Sequence, residues 1–368
     1  MPMIRNNFAL SYTQSGLLMS AFSITNGISQ LLIGWLANRL GTRLIILMSV
    51  TGVAIVGIII GLTHSYVALI IFLVLAALIG GGYHPASGAV IASSVPAKYR
   101  GRAFGVHFMG GSSAFWVLPL IAAPIAVALG WRSSFLILSI PTVLIGILLY
   151  ILIGSRIKSQ VIEHQEIGKQ SATGTARIPW RKLLPVILIS VTVGTMVMSV
   201  TSYLSLYAVD NFGFSEAAAA MLVAITPAIG FIAAPLGGYL SDRFGSITVL
   251  LVISFLTIPL IYLLGIASNT TALIIIMVAI GTVSTMRMPT SESYITGTTP
   301  EHRRAAVLGL YFFASTEVSG IWTPVVGILI DNIGFRSTFT ITSVVTGIVV
   351  VFCSLFLWRN KSQKKFNL

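Results

Sequence analysis

Gly34-Trp35-Leu36-Ala37-Asn38-Arg39-Leu40-Gly41 decides how this chain is read, because Gly238-Tyr239-Leu240-Ser241-Asp242-Arg243-Phe244-Gly245 repeats it 204 residues later. The same offset relates Pro96 to Pro300, Arg100 to Arg304, Gly105 to Gly309, and Gly130-Trp131-Arg132 to Gly334-Phe335-Arg336. Pro85 and Pro289 share it, as do Asn7-Phe8 and Asn211-Phe212. A shift that stays constant so far from the motif means one structural unit used twice in parallel, with almost no net insertion.

The unit is built for lipid. Of 368 residues, 56% are hydrophobic and 8% charged, where soluble domains carry about 25% charged residues. In a bilayer such a chain satisfies its backbone as helices. The net charge of +13 would point to nucleic acid in a soluble protein. Here the basic residues fall on alternate loops between apolar spans, so they read as topology signals and no nucleic-acid partner is expected. Cys353, the single cysteine, excludes an intramolecular disulfide. The first dozen residues are polar and lack the apolar core of a cleavable signal peptide.

Windows of about 20 apolar residues give eleven spans, at 15–37, 44–63, 66–94, 103–129, 133–154, 183–209, 215–241, 247–267, 270–297, 304–330 and 337–358. The repeat offset aligns Met1 with Ser205, in the last turns of the span 183–209. The expected architecture is therefore an all-α, two-lobed membrane protein on a twelve-helix plan that lacks helix 1, with Met1-Pro2-Met3-Ile4 as its stub. The N-terminal lobe is 1–154 (helices 2–6), the cytoplasmic linker 155–181, the C-terminal lobe 182–358 (helices 7–12) and the cytoplasmic tail 359–368. The linker's Ser, Gly, Thr, Gln, Glu and Lys lack an apolar face and read as a flexible spacer, with a short surface helix around 157–167 as the alternative. Positive-inside counting fixes the orientation. Arg39, Arg43, Lys98, Arg100, Arg102, Arg243, Arg303, Arg304, the linker and the tail hold the cations of one side, against Arg5, Arg132 and Arg336 on the other. Both motif copies and the C-terminus are expected to be cytoplasmic.

These residues resemble the major facilitator superfamily along the whole chain. The motif Gly-x-Leu-Ala-Asp-Arg-x-Gly between helices 2 and 3 is that family's signature, and here it stands twice. Gly82-Tyr83-His84-Pro85-Ala86 and Arg100-Gly101-Arg102-Ala103 resemble the branch containing fosmidomycin-resistance and organic-anion transporters. The resemblance implies a secondary transporter of the inner membrane working by alternating access, with helices 1, 4, 7 and 10 around the cavity. Parallel repeats of apolar helices are how such two-lobed transporters are built.

The role of the signature follows from its residues. Gly34 and Gly238 permit close helix packing, and Gly41 and Gly245 a tight turn. Asp242 can face the N-terminus of a neighbouring helix, where an anion is favoured by about 0.3–1 kcal/mol. Arg39 and Arg243 can reach carbonyls or lipid phosphates, or serve as topology signals alone. Asn38 replaces the usual acid in the first copy, so the first latch is expected to be weaker. Glu292, near the inner end of its span, is expected in a cytoplasmic gate contact.

Ionisable side chains inside a span cost at least about 2.5–3.5 kcal/mol and are functional candidates. Arg287 and Glu317 lie at similar depth on adjacent spans, as an ion pair or sharing one ligand. Their equivalents in the first repeat, Tyr83 and Ser113, carry no charge at neutral pH. The fork of Arg287 suits a carboxylate or phosphonate. Glu317 and His84 are the candidate proton-coupling groups, and His84, before the helix-kinking Pro85, can also meet substrate. His107 sits a turn into its span, where an interface or gate contact is expected. Trp116, Tyr203, Tyr311 and Trp322 are candidate cavity aromatics, although aromatics in spans more often pack or anchor at the interface.

No phosphate-binding Gly-x-x-x-x-Gly-Lys loop is present, so no ATP site is expected. There is also no Cys/His metal spacing and no nucleophile with a base. Neither a cofactor nor an enzymatic role is expected. The expectation is a monomeric transporter in contact with membrane lipid, driven by a proton gradient and carrying a small organic or phosphonate-like anion. Efflux of hydrophobic drugs, for which a Met- and aromatic-lined cavity with Glu317 alone would suffice, is the alternative, ahead of a non-transporting sensor of the same fold.

Overall fold

A computed structural model describes residues 2–10, 12–165 and 177–362. Its described residues form helices and turns without a strand. The helices are α1 (Pro2–Phe8), α2 (Tyr12–Leu40), α3 (Thr42–Leu47), α4 (Val53–Gly61), α5 (Tyr66–Gly80), α6 (Tyr83–Ser94), α7 (Arg100–Leu129), α8 (Trp131–Gln165), α9 (Trp180–Ser202), α10 (Leu204–Phe212), α11 (Glu216–Phe244), α12 (Ser246–Gly265), α13 (Thr270–Thr298) and α14 (Arg304–Ser362). A π turn over Met48–Gly52 joins α3 to α4.

Eight helical stretches among the described residues are long and apolar enough to cross a membrane, judged by length and composition. The sequence predicts eleven. Part of the difference is one continuous stretch, Glu301–Leu357, which takes in two expected spans and breaks at Gly334, where φ is 75° and ψ 169°. The rest concerns two spans, 15–37 and 103–129. Helices α2 and α7 contain side chains outside the described residues, so these two spans are not among the eight. The expected span 183–209 is divided at Tyr203, which leaves helical geometry between α9 and α10. Helix α8 runs on to Gln165, into the expected linker; 166–176 lie outside the described residues. The seven-residue α1 stands where the stub was expected.

The chain folds as two compact units. The first comprises Met1–Val90, Pro119–Ile178 and Thr299–Phe313; the second comprises Ile91–Leu118, Pro179–Thr298 and Ala314–Leu368. Each unit takes a segment from the other half of the sequence repeat. In the first, Leu18, Val56, Ile60, Leu69 and Trp131 form one core, and Ala37, Ile45, Ile46, Ala86 and Ala305 another. In the second, Tyr207, Ile261, Leu264, Met277 and Phe339 pack together, with the Tyr207 hydroxyl donating to the Leu264 carbonyl at 2.9 Å. Large apolar side chains also face outwards: Val127, Ile232 and Phe352 are 76%, 73% and 71% exposed. In water that surface would aggregate; lipid is its natural solvent.

Candidate functional site

The repeated motif closes two helix contacts, one in each unit. In the second unit, α11 ends in Asp242, whose carboxylate accepts the backbone N–H of Gly101 at 2.6 Å and of Arg102 at 2.9 Å. These are orphan donors at the start of α7, so the acid caps a neighbouring helix and meets the positive end of its dipole. Arg102 adds an ion pair at 3.8 Å. The helices approach this closely because glycines line the crossing: a Cβ on Gly105 would lie 2.7 Å from the Ala234 carbonyl, and one on Gly238 would overlap the Gly101 carbonyl.

In the first unit the equivalent glycines do the same. A Cβ on Gly34 would lie 2.8 Å from the Ala305 carbonyl and 3.0 Å from Gly309 Cα. Gly34 and Gly309 stand 204 positions from Gly238 and Gly105, so α2 with the start of α14 repeats α11 with the start of α7. The Asn38 side chain lies outside the described residues. Gly41 and Gly245 make the expected tight turns at φ 83° and 86°. The arginines differ from expectation. Arg39 stacks on Trp35 at 4.1 Å, and Arg243 donates to the Tyr239 hydroxyl at 3.0 Å. Each finds the aromatic side chain one turn back, since residues four apart share a helix face.

Arg287 is buried, 7% exposed, between α13 and α9. Its Nη1 donates to the Ser190 carbonyl and to Ser190 Oγ, both at 2.7 Å. Ser190 Oγ also meets Ser291 Oγ at 2.7 Å. One turn along α9, Gly194 makes room for the guanidinium: a Cβ there would lie 2.5 Å from Nη2. The expected ion pair with Glu317 is not formed; among the described residues Glu317 has no hydrogen bond or ion pair, and its Oε1 is buried without a partner. The acid within electrostatic reach of Arg287 is Glu292, on the same helix. Glu292, expected in a cytoplasmic gate contact, is 1% exposed and lies inside the second unit.

The remaining candidates divide by unit. In the first, His84 is exposed, with ring centroids 5.5 Å from Tyr83 and from Phe312, while Tyr311 is fully buried. In the second, the Tyr203 hydroxyl donates to the Thr323 carbonyl at 3.1 Å and so serves the packing of α9 on α14. Thr195 with Ser319 and Ser199 with Thr323 bridge the same two helices at 3.1 and 3.0 Å. Trp322 packs against the core of this unit, and its indole N–H is buried without an acceptor among the described residues. His107 is partly buried with its ring 5.7 Å from Phe108. The Trp116 side chain lies outside the described residues. Sequence reading missed Ser190 and Gly194, and gave the N–H groups of Gly101 and Arg102 no part in the contact with Asp242. The first two carry a signal, small residues four apart on an otherwise apolar helix, which is how membrane helices approach one another.

The family model described as Major Facilitator Superfamily matches residues 1–324 and 211–368. Multidrug resistance protein MdtG of Citrobacter koseri is 25% identical over 363 residues, covering 96% of this chain and 86% of its own. The MdtG of Salmonella typhi is 24% identical, covering 95% and 86%. Among solved structures, a Major Facilitator Superfamily transporter, FucP, in the outward conformation aligns with a TM-score of 0.75 at 19% identity, covering 97% of this chain and 93% of that one. The human organic anion transporter MFSD10 aligns with a TM-score of 0.74 at 15% identity, covering 92% and 83%.

Proposed function

We propose that this chain, which belongs to the Major Facilitator Superfamily, exports small organic compounds by alternating access in exchange for protons, and that Glu317 is the group the compounds meet. The chain is a multi-pass transporter of the membrane and not an enzyme. The observation that carries the proposal is the open carboxylate of Glu317. It stands thirteen residues along α14 from Arg304, which at 1.5 Å per residue is about 20 Å from the start of the helix. Its Oε1 has no hydrogen-bond partner, whereas Nη1 of Arg287, the other mid-helix charge, is committed to Ser190. An acid in that position suits a lipophilic cation. Relatives named as multidrug resistance proteins, matched over nearly the whole chain, support the same reading. The basic loops support a cytoplasmic position for both motif copies and the C-terminus.

The reading is tested by ethidium retention in cells stripped of their own exporters. The wild-type chain should lower retention, and Glu317→Gln should restore it while leaving export of neutral compounds in place. Ethidium export by Glu317→Gln at the wild-type rate overturns the assignment.

One observation favours a second reading, transport of an organic or phosphonate-like anion. Arg287 is a buried cation in a helix of the second unit, and its planar fork suits a carboxylate or phosphonate. Arg287→Lys would keep the charge but lose the fork. Under this reading Arg287→Lys weakens anion binding, Arg287→Ala abolishes it, and neither affects ethidium.

A further inference from the structure

We propose that Glu292 is the residue at which this transporter takes up and releases its driving proton. The inference rests on the reading of the chain as a proton-coupled transporter and assigns that proton a site other than Glu317 and His84.

Glu292 lies six residues before the end of α13 and is 1% exposed. Its Oε1 is buried with no hydrogen-bond partner. The hydroxyls beside it donate elsewhere. Ser291 Oγ donates to the Arg287 carbonyl at 2.9 Å, Thr290 Oγ1 to the Met286 carbonyl at 2.8 Å, and Thr296 Oγ1 to the backbone carbonyl of Glu292 itself at 2.6 Å. A carboxyl group in a dry interior without donors changes its charge by exchanging a proton rather than hold an unsolvated one. Acids placed so expensively in membrane helices mark proton routes.

The charges around it are few. On α13 itself they are Arg287, within electrostatic reach, and the phenol of Tyr294. The helices packed on α13 are α9, α11 and α12. Helix α9 carries Arg181 and Lys182 in its first turn, and α11 carries Glu216, Tyr239, Asp242 and Arg243 at its ends. Helix α12 holds only Tyr262. Arg100 of α7 approaches Gly297, a turn beyond Glu292, and Glu317 lies on α14. Among the described residues Arg287 lies within electrostatic reach of Glu292, and Ser190 of α9 holds that cation in place. Movement of α9 against α13 would break this hold and change the distance from guanidinium to carboxyl. The carboxyl would then gain an O–H bond from a proton of water on one side, or lose it to water on the other. Proton binding and helix movement become one event, as coupling requires.

The proposal can be tested on purified protein reconstituted in lipid vesicles, where infrared difference spectroscopy over a pH titration reads the carbonyl stretch of protonated carboxyl groups. The wild type should show a titrating band that is lost in Glu292→Gln, retained in Glu317→Gln and shifted in Glu292→Asp. The same vesicles, prepared acid inside, should accumulate ethidium with the wild-type chain. Glu292→Gln should lose gradient-driven accumulation while still exchanging ethidium across the membrane. Persistence of the band in Glu292→Gln, or undiminished gradient-driven accumulation by that variant, overturns the assignment. A wild type that moves no ethidium but whose band behaves as described sinks the drug-export reading and leaves the proton site standing.

Discussion

The guanidinium of Arg287 was legible in the sequence as a charge in an apolar span, because the cost of placing it there needs no structure to be recognised. Its partners were not. Ser190 and Gly194 sit in another span with no motif around them, and only the packing of α9 on α13 brings them to Arg287. The burial of Glu292 was not legible for a related reason: nearness to a helix end in sequence says nothing about burial, and its neighbours close over it. Gly194→Ala tests this local arrangement. Its Cβ would fall 2.5 Å from Nη2, so the guanidinium must leave Ser190 or the helices must part, at a cost of about 1–3 kcal/mol for overpacking. A lower thermal midpoint is expected, partly recovered in Gly194→Ala with Arg287→Met; an unchanged midpoint in the single variant would show that the pocket has slack.

At the level of elements, the repeat gave the helix crossings more fully than the site. Gly34 and Gly238 were read as close-packing positions, and each does lie against a backbone carbonyl of its partner helix. The identity of those partners, the first turns of α14 and α7, could not be read, since no residue pattern names the helix a glycine will face. Gly238→Ala should disturb its crossing more than Gly34→Ala, because the Cβ would overlap the Gly101 carbonyl outright, against 2.8 Å to the Ala305 carbonyl. Thermal unfolding of the two variants should rank them in that order. Asp242→Asn removes charge from two bonds and leaves one acceptor oxygen for two N–H donors. Hydrogen bonds to charged groups contribute about 1.5–3 kcal/mol, and about 1.4 kcal/mol is tenfold in rate, so turnover should fall about tenfold or more. Substrate affinity should change little. A large loss of affinity at unchanged turnover would place Asp242 in the binding site instead of a latch.

For the whole molecule, the family and the all-helical class were readable from one motif met twice at a fixed offset, together with a composition that only lipid accommodates. Helix continuity in sequence suggests lobes 1–154 and 182–358; by packing, Ile91–Leu118 falls in one compact unit with Pro179–Thr298, and Thr299–Phe313 in the other. Glycine crossings, invisible as contacts in a linear sequence, draw those segments across. The cytoplasmic C-terminus we propose rests on the basic loops: a green fluorescent protein fused there should fluoresce, and an alkaline phosphatase fused there should be inactive. The central claim is that movement of an organic compound and movement of a proton are one process. Its most direct test is to add ethidium to acid-loaded vesicles containing the chain while reading internal pH and internal ethidium together. The expected result is uptake of ethidium with simultaneous alkalinisation of the interior, both abolished by Glu317→Gln. Ethidium uptake at the same rate and extent with and without the pH gradient, and with no change in internal pH, would contradict it.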